Sequence, residues 1–111
     1  MISRTWHGIV PIDKKDAFQI YLNDTGVKDA LSIKGNLGVY VEIIEQDKFA
    51  HFFLCTIWET IDNIIEYAGE NPVVAITYPE NAVYGLISDP IIIHQEVLTT
   101  DNPFKYVIMR S

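Results

Sequence analysis

Cysteine is almost missing from this 111-residue chain. Cys55 is the single one, so no disulfide can form within it. It lies inside the apolar run FFLCTIW, where a free thiol reads as a small buried hydrophobe; a catalytic thiol needs an electropositive, partly open site. Basic residues are scarce too. Eight Lys and Arg stand against 15 Asp and Glu, for a net charge of −7. Nucleic acid binding through phosphates needs a basic face, and so does docking on an anionic membrane, so neither partner is expected. No apolar run approaches the ~20 residues of a membrane-spanning helix, and the opening MISRTWHGIV has no long apolar core of a leader peptide. A cytoplasmic protein is the expectation. There is also no G-x-S-x-G, no phosphate-cradling glycine loop and no dinucleotide fingerprint. Hydrolase, kinase and nicotinamide chemistry therefore have no support.

What is present is enough for one core. The hydrophobic fraction is 49% and the charged fraction 21%, the balance of a single globular domain of this length. Residues 2–10, ISRTWHGIV, read as a strand ended by Pro11. Asp13 is a candidate N-cap for a helix over 14–24, with Ala17, Phe18, Tyr21 and Leu22 on one face and Gly26 as its stop. KGN at 34–36 is a turn signal. LGVYVEIIE, 37–45, alternates Val39, Val41 and Ile43 against Tyr40 and Glu42, and FAHFFLCTIW, 49–58, follows after a short polar break, so the pair reads as a hairpin. Thr60 caps a second helix in which Ile61, Ile64, Ile65 and Ala68 form an apolar stripe, and Gly69 stops it. Asn71-Pro72 predicts a short further helix to about Tyr78. IIIHQEV, 91–97, is a fourth strand.

Strand, helix, strand, strand, helix, strand is the ferredoxin-like βαββαβ order, an α+β fold with an antiparallel sheet in the order 4-1-3-2 and both helices on one face. The domain spans 1–98; residues 99–111 form an apolar C-terminal extension expected to dock on the domain or its partner. Two helices cover one face of such a sheet. Strands three and four are apolar on both faces, which predicts a second sheet over the open face, supplied by an identical chain in a homodimer.

The stretches RTWHG at 4–8, GNLGVYV at 35–41, TIWET at 56–60, YAGEN at 67–71 and YPEN at 78–81 resemble the antibiotic biosynthesis monooxygenase superfamily of dimeric α/β barrels, over roughly residues 2–98. The resemblance implies two ferredoxin-like sheets pairing in a barrel, and a pocket between sheet and helices bordered by the tryptophan that ends strand three, here Trp58. It also implies one of two chemistries. Similar proteins that degrade haem pair an early asparagine on strand one with that tryptophan and place a histidine on the second helix to ligate iron. This chain has Ser3, Arg4 and Thr5 in the first place and no histidine within 59–79, so haem degradation is disfavoured. Cofactor-independent monooxygenation asks only for a flat-ring pocket, exclusion of water and stabilisation of a substrate anion. No cofactor is expected for it, and the ligand would be a small aromatic or quinonoid compound. The alternative is a non-catalytic dimeric protein that binds such a compound.

The candidates for these tasks are Trp58, Trp6, Tyr40, Tyr67 and Tyr78 as ring contacts, and Arg4 or His7 as cation or base. Each has a plainer role: Trp58 as a staple between strand and helix, the tyrosines as amphipathic core edges, Arg4 as an ion-pair partner. His7, His51 and His94 fall toward one end of the sheet. On a shared face they could bind a borderline metal, but no local ligand spacing marks them, and hydrogen bonding is the favoured role. No metal site is expected.

Overall fold

A computed structural model describes residues 1–78 and 80–98. Four antiparallel ladders make one sheet. β1 (Ile2–Pro11) lies at its centre, flanked by β3 (Phe49–Trp58), which pairs in turn with β2 (Asn36–Gln46). The other edge of β1 carries two short strands, β4 (Ile87–Ser88) and β5 (Ile93–Glu96). The order β2-β3-β1-β4 is the ferredoxin-like order read from the sequence.

The expected fourth strand is thus split. Ser88 pairs Gly8 and Ile93 pairs Thr5, so the edge needs two more residues than β1 to cover the same length. The extra residues bulge at Asp89-Pro90, where proline has no N–H for the ladder. The bulge turns Ile92 inward to 3% exposure. It also binds a second segment: Ala75 N–H donates to Pro90 O at 2.9 Å and Ile92 N–H to Val73 O at 2.8 Å. This pairing explains why residues 72–78 form a turn, one bridge residue at Val74 and irregular chain rather than a helix. Backbone bonds to the bulge replace those of a short helix.

The first helical region is longer than predicted. A 3-10 turn (Ile12–Lys14) leads into α1 (Lys15–Leu22), a π-turn (Asn23–Val27) and α2 (Lys28–Ser32). Gly26 is therefore not a stop. It is buried at a close approach, where an added Cβ would come 3.0 Å from Leu54 Cδ2. α3 (Ile61–Ala68) begins and ends as its sequence signals: Thr60 Oγ1 accepts from Asn63 N–H at 3.3 Å, and Gly69 takes φ +90°. Its Ile64 is fully buried.

The helices cover one sheet face. Trp6, Val10, Phe52 and Leu54 from that face form the main core with Phe18 and Leu22 of α1. The helices leave the other face free, and it is part buried and part open: Ser3, Cys55 and Ile57 are 7%, 5% and 1% exposed, while Ile44 is 54%, Ile87 64% and Ile93 61% exposed. Residues 99–111, and with them the expected docking of the C-terminal extension, lie outside the described residues. Among the described residues no helix is long and apolar enough to cross a membrane.

Candidate functional site

Strand period decides which side chains meet. Even-numbered residues of β1 and β3 face the helices; odd-numbered ones face away. Arg4 and Trp6 thus enter the space between sheet and helices. A small cavity of about 30 Å³ lies there, the volume share of about one water molecule. Arg4, Trp6, Tyr21, Tyr67 and Tyr78 are among its walls. Outside it, a wider depression of about 470 Å³ shares Ile76, Tyr78, Asn81 and Leu86 with the cavity. These shared residues lie between the small inner cavity and a groove of small-molecule size.

Arg4 dominates the electrostatics. It is 2% exposed. Its Nη2 donates long, weak hydrogen bonds to the carbonyls of Pro72 (3.4 Å) and Val74 (3.5 Å), and its buried Nε has no partner among the described residues. No carboxylate pairs with it there: the ion pairs found are His7–Asp89 and Lys15–Glu45. Burial pulls its pKa below the ordinary value, the signature of a cation without a counter-charge. A guanidinium nevertheless stays charged at neutral pH.

The tyrosines beside it are neutral and already engaged. Tyr67 O–H donates to Gly26 O at 3.2 Å, and burial pushes its pKa up to about 12. Tyr78 O–H donates to the Asp29 carboxylate at 2.7 Å, and burial followed by that bond raises its pKa as well. Neither phenol is free to act as a base. His94, the cross-strand partner of Arg4, shares its face. Burial, then the Arg4 charge, lowers the His94 pKa, and its buried Nε2 has no partner among the described residues. Arg4 and His94 are therefore a fixed cation and a neutral imidazole side by side, both with unused nitrogen.

Of the predicted site residues, Arg4, Trp6, Tyr67 and Tyr78 are brought together. Trp58 is close but does not line the cavity. It is fully buried with Ala30 and Ile64, stacks on Tyr67 at 5.2 Å between ring centroids, and donates its indole N–H to Thr56 Oγ1 at 2.8 Å. Thr56 in turn donates to Arg4 O at 3.3 Å. Trp58 thus sits behind the wall, against the ring that Arg4 touches. His7 and Tyr40 are on the opposite face of the sheet, so neither reaches the cavity. Tyr40 lies opposite Cys55 there, and burial raises the pKa of both. The three histidines do not share a face: His7 and His51 hydrogen-bond on the open side, while His94 is on the helix side. Sequence reasoning missed Tyr21 and His94 as neighbours of Arg4. The register of the edge strand was needed to find His94.

No family model matches the sequence, and no curated protein matches it. Solved structures do. A candidate antibiotic biosynthesis monooxygenase from Deinococcus radiodurans superposes with a TM-score of 0.60 at 15% identity, covering 92% of this chain and 97% of that one. The shared fold is the ferredoxin-like α+β fold. Rv0793 from Mycobacterium tuberculosis matches it too, with a TM-score of 0.56 at 13% identity over 92% of this chain and all (100%) of that one. At such identities the likeness is one of backbone, and antibiotic biosynthesis monooxygenase architecture by itself assigns no substrate.

Proposed function

We propose that this chain is a monooxygenase-like enzyme that acts, as a homodimer and without a bound cofactor, on a small aromatic or quinonoid compound held as an anion beside Arg4. The observation that carries the reading is the buried Arg4 guanidinium, which has no carboxylate partner among the described residues. An uncompensated buried charge costs several kcal/mol, and a phenolate or enolate would supply the missing negative charge. The aromatic walls suit a flat ring. His94 lies beside Arg4 on the same face but lines neither the cavity nor the groove, so a water relay would carry the substrate proton to it.

The chemistry balances without a cofactor. A methylene flanked by aromatic rings loses a proton to give a stabilised carbanion. That anion donates electrons to O₂; one oxygen atom is retained as a ketone and the other leaves as water. The CH₂ group supplies all four electrons. Arg4 stabilises the anion from the inner cavity, which at about 30 Å³ has no room for the ring itself; the ring is seated in the adjoining groove of about 470 Å³. The homodimer reading is supported by the exposed Ile44, Ile87 and Ile93 on the sheet face away from the helices.

The test combines binding and turnover. Oxygen uptake with an anthrone, above the uncatalysed blank, should be saturable and lost in Arg4→Met. Saturable binding without oxygen uptake would favour the non-catalytic binding protein. Failure of anthrones and hydroxynaphthoquinones to bind at all would sink both readings.

A further inference from the structure

The inner cavity has one charged wall. Among the described residues that line it, Arg4 is the sole side chain ionised at neutral pH, and no Asp or Glu is present. The carboxylates that act on its walls do so on two tyrosines: Asp29 accepts from Tyr78 O–H at 2.7 Å, and Glu80 neighbours Tyr21. A guanidinium carries five N–H donors. Both bonds that Arg4 makes leave from Nη2, at 3.4 and 3.5 Å, and its buried Nε makes none among the described residues. Tyr67 meets the guanidinium carbon at 5.4 Å through its ring face, not through a lone pair. A cation 2% exposed therefore borders a small cavity with most of its donor capacity unspent.

We propose that this inner cavity binds one small monovalent anion of the halide class, chloride in ordinary salt solution, as the counter-ion of Arg4. Size sets the first limit. About 30 Å³ is the volume share of one water molecule. A monatomic anion little larger than water fits it, and a tetrahedral oxyanion such as sulfate does not. Charge sets the second. A neutral water can accept an N–H bond but leaves the buried charge uncompensated, whereas a halide does both tasks. The walls set the third. Trp6, Phe18 and Tyr67 line the cavity; a weakly hydrated halide tolerates apolar walls, and aromatic ring edges are positive. Asp29 and Glu80 lie beyond the tyrosines and repel a divalent anion about twice as strongly as a monovalent one. Asn81, shared by cavity and groove, places an amide donor at the entrance.

The anion site goes beyond the enzymatic reading and stands on Arg4 and its cavity alone. Where that reading also holds, a halide and the anionic oxygen of the substrate compete for one cation. Chloride would then raise KM and leave kcat unchanged, while sulfate at equal ionic strength would not. A general attraction for anions is not expected of a chain with net charge −7, so saturable uptake points to a specific cation.

The experiment titrates the full chain with NaBr at ionic strength held constant by sodium sulfate and follows tryptophan fluorescence. Trp6 lines the cavity and Trp58 does not. Both are buried, so collisional quenching from solvent is weak and heavy-atom quenching by a bound bromide stands out. Quenching should saturate in the millimolar range and be reversed by chloride. Trp6→Phe should remove the saturable phase. Arg4→Met should weaken bromide binding about tenfold or more. Lys15→Met, which removes the cation paired with Glu45, should leave it unchanged. Crystals grown in NaBr should show an anomalous peak beside Arg4; should Arg4→Met fail to fold, that peak and the chloride reversal decide. Quenching that stays linear to molar bromide, with no anomalous peak at Arg4, would overturn the site. So would saturable quenching that survives Arg4→Met undiminished. The enzymatic reading fails separately: bromide binding without anthrone turnover upholds the anion site, and turnover without bromide binding strikes it.

Discussion

The Arg4 guanidinium carbon sits 5.4 Å from the centre of the Tyr67 ring, over its face. A cation–π contact of this kind gives about 0.5–2 kcal/mol. Removing a charge from water costs several kcal/mol. The ring therefore softens the penalty at Arg4 without cancelling it, and the site is held at some expense of stability, as strained or uncompensated groups at functional sites commonly are.

Arg4→Met follows from that balance. The apolar side chain fills similar volume and removes the uncompensated charge, so the melting temperature should stay level or rise. Saturable binding of an anionic flat ligand such as 2-hydroxy-1,4-naphthoquinone should weaken at least tenfold. A loss of more than about 2 kcal/mol in urea melts, with binding intact, would make Arg4 a structural residue.

The helix α3 offers a packing test. Ile64 is fully buried, whereas Ile61 on the same helix is 45% exposed. Ile64→Ala should cost about 2–5 kcal/mol, and Ile61→Ala under about 1 kcal/mol. Equal losses in denaturant melts would contradict the face that α3 presents to the sheet.

Alkaline pH probes the tyrosine wall. The Tyr67 pKa stands at about 12 in the folded chain against about 10 unfolded. The folded state holds the proton more tightly, so this contribution to stability is complete below pH 10. It drains away as pH rises from 10 through about 12. Ultraviolet difference spectra should show part of the tyrosine titration delayed past pH 11, and Tyr67→Phe should remove a share of that delay. Titration of every phenol near 10 would mean that Tyr67 is not buried.

The exposed Ile44, Ile87 and Ile93 on the sheet face away from the helices predict the oligomer. Light scattering at micromolar concentration should give twice the chain mass. Charging the face with Ile87→Lys and Ile93→Lys together should shift the chain toward monomer while circular dichroism stays unchanged. A soluble wild-type monomer would refute the dimer.

Much of the fold was legible because its signals are local. Thr60 and Gly69 bracket α3 through cap chemistry that needs no tertiary partner. Val39, Val41 and Ile43 alternate with polar neighbours on β2, and that period alone put them on the core face. Gly26 misled for the opposite reason. A glycine after an apolar helical stripe reads as a stop, but here Leu54 crowds the backbone and the missing Cβ serves close packing. Residues 72–78 likewise carry a helix-start signal that loses to backbone bonds with the bulge at 90–92.

The sequence by itself determined the order of strands and helices, the ends of α3, and one fact about the site that follows from arithmetic. Arg4 and His7 are an odd number of residues apart on one strand, so they must face opposite ways. Only the tertiary structure decided which of them meets the helices. On β1 the even set (Ile2, Trp6, Val10) is the more apolar and the odd set (Ser3, Thr5, His7) the more polar. The period therefore favours the even side for the core, but the strand alone does not say which sheet face the helices cover. Packing chose, by setting Trp6 and Val10 into the core with Phe18 and Phe52. Arg4 went inward with them, unpaired, and His7 went outward to meet His51 and Asp89.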